Sequence, residues 1–151
     1  MSDHTLRDFA AGTPMPDLGG VVPWTPLTKP RSECRVAIVT TAALHLVGDE
    51  GFVPDDVSYR VLPADRRDLV LGHWSPNFDR SGFVADLDVV YPADRLDELA
   101  SDGTIGSVAD HHYAFAGNQE DTLTGIRLDS GPAVARLLRD DDVDVVLLTP
   151  V

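Results

Sequence analysis

Apolar residues fall in short runs separated by polar turns. The stretch 34–44, "CRVAIVTTAAL", is nearly continuous and rich in β-branched residues, the pattern of a strand buried on both faces. "YRVLP" (59–63) and "DLVLGHW" (68–74) predict two more strands, and "LDVVYP" (87–92) a strand or the lead-in to a helix. "PADRLDELASDG" (92–103) predicts a helix: Pro92 and Asp94 stand early, Leu96 and Leu99 share a face, and Gly103 stops it. "SGPAVARLLRDDD" (130–142) predicts another, with Ser130 as N-cap, Pro132 in the first turn, and Val134, Leu137 and Leu138 as the inner stripe. "VDVVLLTPV" (143–151) reads as a strand whose last three residues begin a loop. Strands and helices in alternation predict a single α/β domain with a parallel or mixed sheet and flanking helices.

Residues 1–32 break the pattern. The stretch 10–31 holds five of the eleven prolines, and proline disfavours helix and central strand alike. This predicts an extended Pro-rich arm, after a short helix near Thr5 to Ala10, with Val21, Val22, Trp24 and Leu27 as apolar anchors. The α/β domain then occupies 33–151. Such an arm packs on its own domain or on a partner subunit.

Charge narrows the function classes. The net charge of −13 repels phosphate backbones and argues against nucleic-acid binding. No apolar run approaches a membrane span and no secretory signal is visible, so the expected location is the cytoplasm. One cysteine, Cys34, rules out an intramolecular disulfide and a Cys-rich zinc site. It precedes an apolar run and reads as a half-buried thiol at a strand start.

Candidate chemistry collects at presumed strand ends. His45 follows the first strand, and His73 opens the loop "HWSPNFDRSGF". If the strands are parallel, their carboxyl ends share one rim with the end of the last strand, the usual ligand crevice of an open α/β sheet. In that loop Asp79 orients His73 or accepts an amine, and Arg80 offers a carboxylate its bidentate fork. "SVADHHYAFAGN" (107–118) adds Asp110, His111, His112 and Tyr113. On a strand the adjacent histidines point to opposite faces. The catalytic candidates are His45, His73, Asp79, His111 and His112. The substrate-binding candidates are Trp74, Asn77, Arg80, Tyr113, Asn118 and Thr149. A divalent metal on His45, His73, His111 and His112 is the alternative, although no HExxH spacing supports it. Phosphate loops and GxSxG elbows are absent.

Three stretches carry a resemblance: "VAIVTTAALHLVGDE", "HWSPNFDRSGFVADLDVVYPADRLDELASDGTIGSVADHHYAFAGN" with its DRLxELxxxGxIGS helix exit, and "GPAVARLLRDDDVDVVLLTPV". Together they resemble the glycine/sarcosine/betaine reductase component B family, which includes the D-proline reductase subunit. The similarity runs from Cys34 to Val151. It implies an oxidoreductase subunit that cleaves a C–N bond of a small amine or amino acid, as a homo-oligomer or with a partner subunit. In the family a selenocysteine or cysteine attacks the substrate carbon, and a partner subunit often carries a pyruvoyl group that holds the amine. That nucleophile follows the strand corresponding to "LLTPV", where the present sequence stops. A selenocysteine codon read as a stop, a fragment, and a naturally short member are the competing explanations. With the nucleophile absent from the chain, a non-catalytic binding or scaffolding subunit is the alternative to an enzyme, and a His/Asp metal-dependent enzyme is the third reading.

Overall fold

The computed structural model describes residues 25–75, 80–117, 119 and 123–151. The expected helix near Thr5 to Ala10, Val21, Val22, Trp24, Asn77, Asp79 and Asn118 lie outside the described residues. Leu27, expected as an anchor, is about half exposed.

A 3-10 turn, Arg31–Glu33, leads into β1, Arg35–Thr40. Then come β2 (Leu44–Leu46), β3 (Tyr59–Pro63) and β4 (Leu69–Leu71). The short helix α1 (Ser81–Ala85) and a 3-10 turn, Leu87–Val89, precede α2 (Ala93–Ser101). β5 (Ser107–Val108) and β6 (His111–Phe115) follow. A π turn, Ile126–Ser130, runs straight into α3 (Gly131–Asp140), and β7 (Val145–Thr149) closes the described chain.

The main sheet is mixed. β1 is central, with β7 along one side and β5 and β6, end to end, along the other, all parallel to it. β3 lies antiparallel outside β6. Side chains of β1 alternate between two cores. Val36 and Ile38 pack with Leu62, Tyr91 and Leu96 on the α2 face. Ala37 packs with Tyr113, Phe115, Val134 and Leu138 on the α3 face. This confirms the α/β class.

The stretch 34–44 is two strands rather than one. Ala43 takes a left-handed conformation (φ 53°), and the fully buried Ala42 and Ala43 let the chain turn where larger side chains would clash. The piece beyond, β2, pairs antiparallel with β4 in a small second sheet. "LDVVYP" is the lead-in to a helix: the Asp86 carboxylate accepts the Asp88 N–H at 2.9 Å and starts a 3-10 turn. α2 ends as expected, with Gly103 at φ 76°. Ser130 is not an N-cap. Its backbone is already helical because the π turn is continuous with α3, and its buried hydroxyl makes no capping bond.

Candidate functional site at the carboxyl rim

Parallel pairing brings the carboxyl ends of β1, β6 and β7 to one rim. Thr41, just past β1, donates its N–H to the Thr149 carbonyl at 3.3 Å. Its hydroxyl accepts the Val151 N–H at 2.9 Å and donates to the Val151 carbonyl at 3.3 Å. The Thr149 and Thr40 hydroxyls both donate to the Val90 carbonyl, at 2.9 and 3.1 Å. Thr149 is therefore on the expected rim, with its hydroxyl occupied in fastening the strand ends to the turn before α2.

His73 joins this rim. Its ring is buried (5% exposed) and lies against Gly117, just past β6: a Cβ at Gly117 would stand 2.5 Å from His73 Nε2 and 2.9 Å from the Thr41 carbonyl oxygen. Only glycine lets three segments approach so closely. The Ser75 N–H donates to His73 Nδ1 at 3.2 Å, which places the proton of the neutral ring on Nε2. Burial, reinforced by the Arg80 charge, pulls the His73 pKa below its usual value, so the ring is neutral at pH 7. Arg80 donates to the His73 carbonyl, so part of the expected carboxylate fork is spent on holding this loop. Trp74 stacks beside the imidazole, with centroids 6.4 Å apart.

The other histidines occupy separate environments. His45 sits mid-β2, its Nδ1 pairing with the Leu46 carbonyl at 3.0 Å, its ring against Gly51 and Gly72. His111 and His112 begin β6 and do face opposite ways: His111 is exposed and His112 fully buried. Among the described residues, no three His, Cys, Asp or Glu side chains form a group that could hold a metal ion. Tyr113 packs edge-on against Tyr59 (6.0 Å) in the α3-side core.

His112 has a job that the sequence did not suggest. β1 pairs with β5 at Val36↔Val108 and with β6 at Val39↔Tyr113. The partner advances five residues while β1 advances three, so the ladder breaks. The His112 ring fills the break, with Nδ1 accepting the Ile38 N–H at 3.1 Å. Its Nε2 is buried without a hydrogen-bond partner, edge-on to Tyr91 with centroids 5.5 Å apart. Burial pushes the His112 pKa down to about 4 and raises that of Tyr91 well above its normal value.

Known proteins are similar to this sequence. D-proline reductase subunit gamma of Acetoanaerobium sticklandii is 34% identical over 129 residues, covering 83% of this chain and 52% of that protein. The chain belongs to the D-proline reductase and glycine reductase component B family. Glycine reductase complex component B subunit gamma of Carboxydothermus hydrogenoformans is 27% identical over 153 residues, 95% of this chain and 34% of that one. Its counterpart in Symbiobacterium thermophilum is 28% identical over 150 residues, 90% and 32%. The chain thus spans about half the length of the first relative and about a third of the other two. No protein-family model and no solved structure matches it.

The redox nucleophile that the resemblance implies does not fit this chain's one thiol. Cys34 is 1% exposed and donates to the Pro30 carbonyl at 3.3 Å. It stands before the amino end of β1, a strand length (about 20 Å for six residues) from the rim. A separate open groove of about 470 Å³ lies beside β3, lined by Asp49, Glu50, Asp56, Ser58 and Arg60 among others. Arg60, Asp56 and Ser58 are spent on one another. Arg60 donates to the Glu50 and Gly51 carbonyls, both at 2.9 Å, and caps the Phe52 ring at 4.3 Å. Burial would raise the Asp56 pKa, but Ser58 and Arg60 outweigh it and hold the carboxylate charged. No helix of the described residues is long and apolar enough to cross a membrane.

Proposed function

We propose that this domain is the ligand-holding part of a reductase subunit that cleaves the C–N bond of a small amine or amino acid. The redox nucleophile comes from outside these residues, and a partner subunit takes part, as the relatives' names as subunits suggest. One observation carries the reading: three parallel strands end around His73, Thr41, Gly117 and Thr149 in a chain of this family. Reductive cleavage breaks the C–N bond, adds two electrons and two protons, and releases an amine and a reduced carbon.

The residues on this rim bind and orient. His73, kept neutral, lines the rim and stores no proton there. Trp74 supplies an apolar wall, and the guanidinium of Arg80 lies beside the His73 carbonyl to attract a carboxylate. A second reading, a binding subunit without catalysis, is favoured by the position of Cys34 at the far end of β1. His73→Ala separates this site from others. We expect loss of D-proline or glycine binding in a calorimetric titration, with the far-UV circular dichroism unchanged. Binding equal to the parent would remove His73 from the site and the rim reading with it.

A further inference from the structure

His73 reaches the rim by a different route from its neighbours. β1, β6 and β7 end there side by side in one sheet, whereas His73 arrives from β4, in the small antiparallel sheet. The turn at Ala42 and Ala43 brings it across. The Gly72 N–H donates to the Ala43 carbonyl at 3.0 Å. A Cβ at Gly72 would stand 2.8 Å from that oxygen, so the chain entering His73 lies directly on the turn. The same turn holds the other side of the contact. Ala42 bridges Ala116, and the Ala43 N–H donates to the Phe115 carbonyl at 2.9 Å, which sets where Gly117 follows.

Thr40 holds this turn. It is fully buried, and a hydroxyl in such a place costs stability unless it is hydrogen-bonded. The Thr40 hydroxyl accepts the Ala42 N–H at 3.2 Å, the bond by which a threonine side chain shapes the backbone two residues on. Its one proton lies between the Val90 carbonyl at 3.1 Å and the Thr149 carbonyl at 3.2 Å. A single hydroxyl thus ties the end of β1 to the end of β7, to the turn before α2 and to the turn that leads to β2.

We propose that Thr40 is a positioning residue of the rim: its hydroxyl fixes the Ala42–Ala43 turn and, through it, the approach of His73 to Gly117. The effect on ligand binding rests on the rim holding the ligand. Without the hydroxyl the buried Ala42 N–H loses this acceptor. The turn then shifts and carries Gly72 and Ala116 with it.

Thr40→Val keeps the shape of the side chain and deletes the hydroxyl; Thr40→Ser restores it. In spectra recorded without ligand, the His73 Cε1–H and the Gly72 and Gly117 amide resonances should move in Thr40→Val and return toward the parent's positions in Thr40→Ser. Val108, paired near the far end of β1, should stay in place. Calorimetric titration with D-proline or glycine should show binding at least about tenfold weaker in Thr40→Val and close to the parent's in Thr40→Ser. Unmoved rim resonances and parent-like binding in the valine variant would overturn the proposal, even with a lower urea midpoint. Equal losses in both variants would overturn it too, because the methyl group and not the hydroxyl would be at work. A parent that binds neither ligand would refute the rim reading, and the ligand-free resonances would still decide the part played by Thr40. Should Thr40→Val fail to fold, Thr40→Cys, with a far weaker acceptor, gives the same comparison.

Discussion

The buried imidazole of His112 makes stability depend on pH in a calculable way. Its pKa is about 4 in the folded protein against 6.5 for a free histidine, so the unfolded chain binds the extra proton between those values. Stability attributable to His112 is complete above pH 6.5 and falls as pH drops toward 4. The full difference is 6.5 − 4 = 2.5 units, or about 3 kcal/mol at 1.36 kcal/mol per unit. Between pH 7 and pH 5 the linkage relation gives about 2 kcal/mol. The test compares urea unfolding of the parent and His112→Gln at both pH values. Glutamine keeps an oxygen able to accept the Ile38 N–H and does not titrate. The parent should lose about 2 kcal/mol more than the variant between pH 7 and pH 5. His73 shifts the same way, but it is present in both proteins and cancels. Equal losses would refute the buried, neutral, hydrogen-bonded state of His112.

Other perturbations have definite outcomes. Gly117→Ala drives a Cβ into His73 Nε2 and the Thr41 carbonyl; it should cost about 1–3 kcal/mol in urea unfolding and shift the His73 Cε1–H resonance, and an unmoved resonance would contradict the contact. Arg35 pairs with Asp141 at 2.6 Å and with Asp110 at 3.1 Å; Arg35→Met should destabilise by about 1–3 kcal/mol, because the half-buried Asp141 loses its partner, and an unchanged urea midpoint would show the cluster to be solvated. Purified protein dialysed against excess zinc and then against buffer should retain far less than one equivalent by elemental analysis; a stoichiometric, histidine-dependent metal would bring back the metalloenzyme reading.

Much of the fold was legible because its strands are strong apolar runs. "YRVLP" and "DVVLLT" contain β3 and β7, and the Leu96/Leu99 stripe with Gly103 marks α2 and its end. The rim followed from parallel strand ends, and Thr149 stands at one; His73 reaches the rim from β4 of the small antiparallel sheet, and His45 lies within β2 of that sheet. Strand direction was not legible: β3 runs antiparallel, and β2 leaves the sheet at Ala43, whose positive φ no composition signal announces. Nor was the role of His112. A histidine doublet reads as chemistry, whereas here one ring replaces a missing carbonyl in a broken ladder. That need arises only from the register of β5 and β6 against β1. For the same reason Ser130, a good N-cap by type, is continuous helix here: the π turn before it depends on packing, with Gly125 pressed against Val57.

The central claim is that a small amine or amino acid sits where β1, β6 and β7 end. The direct measurement is a ¹H–¹⁵N correlation spectrum of the full chain titrated with D-proline and, separately, glycine. Saturable shifts should centre on Thr41, Gly117, Thr149 and the Trp74 indole. Saturable shifts centred instead on the groove from Asp49 to Arg60, or none with either ligand, would contradict the account.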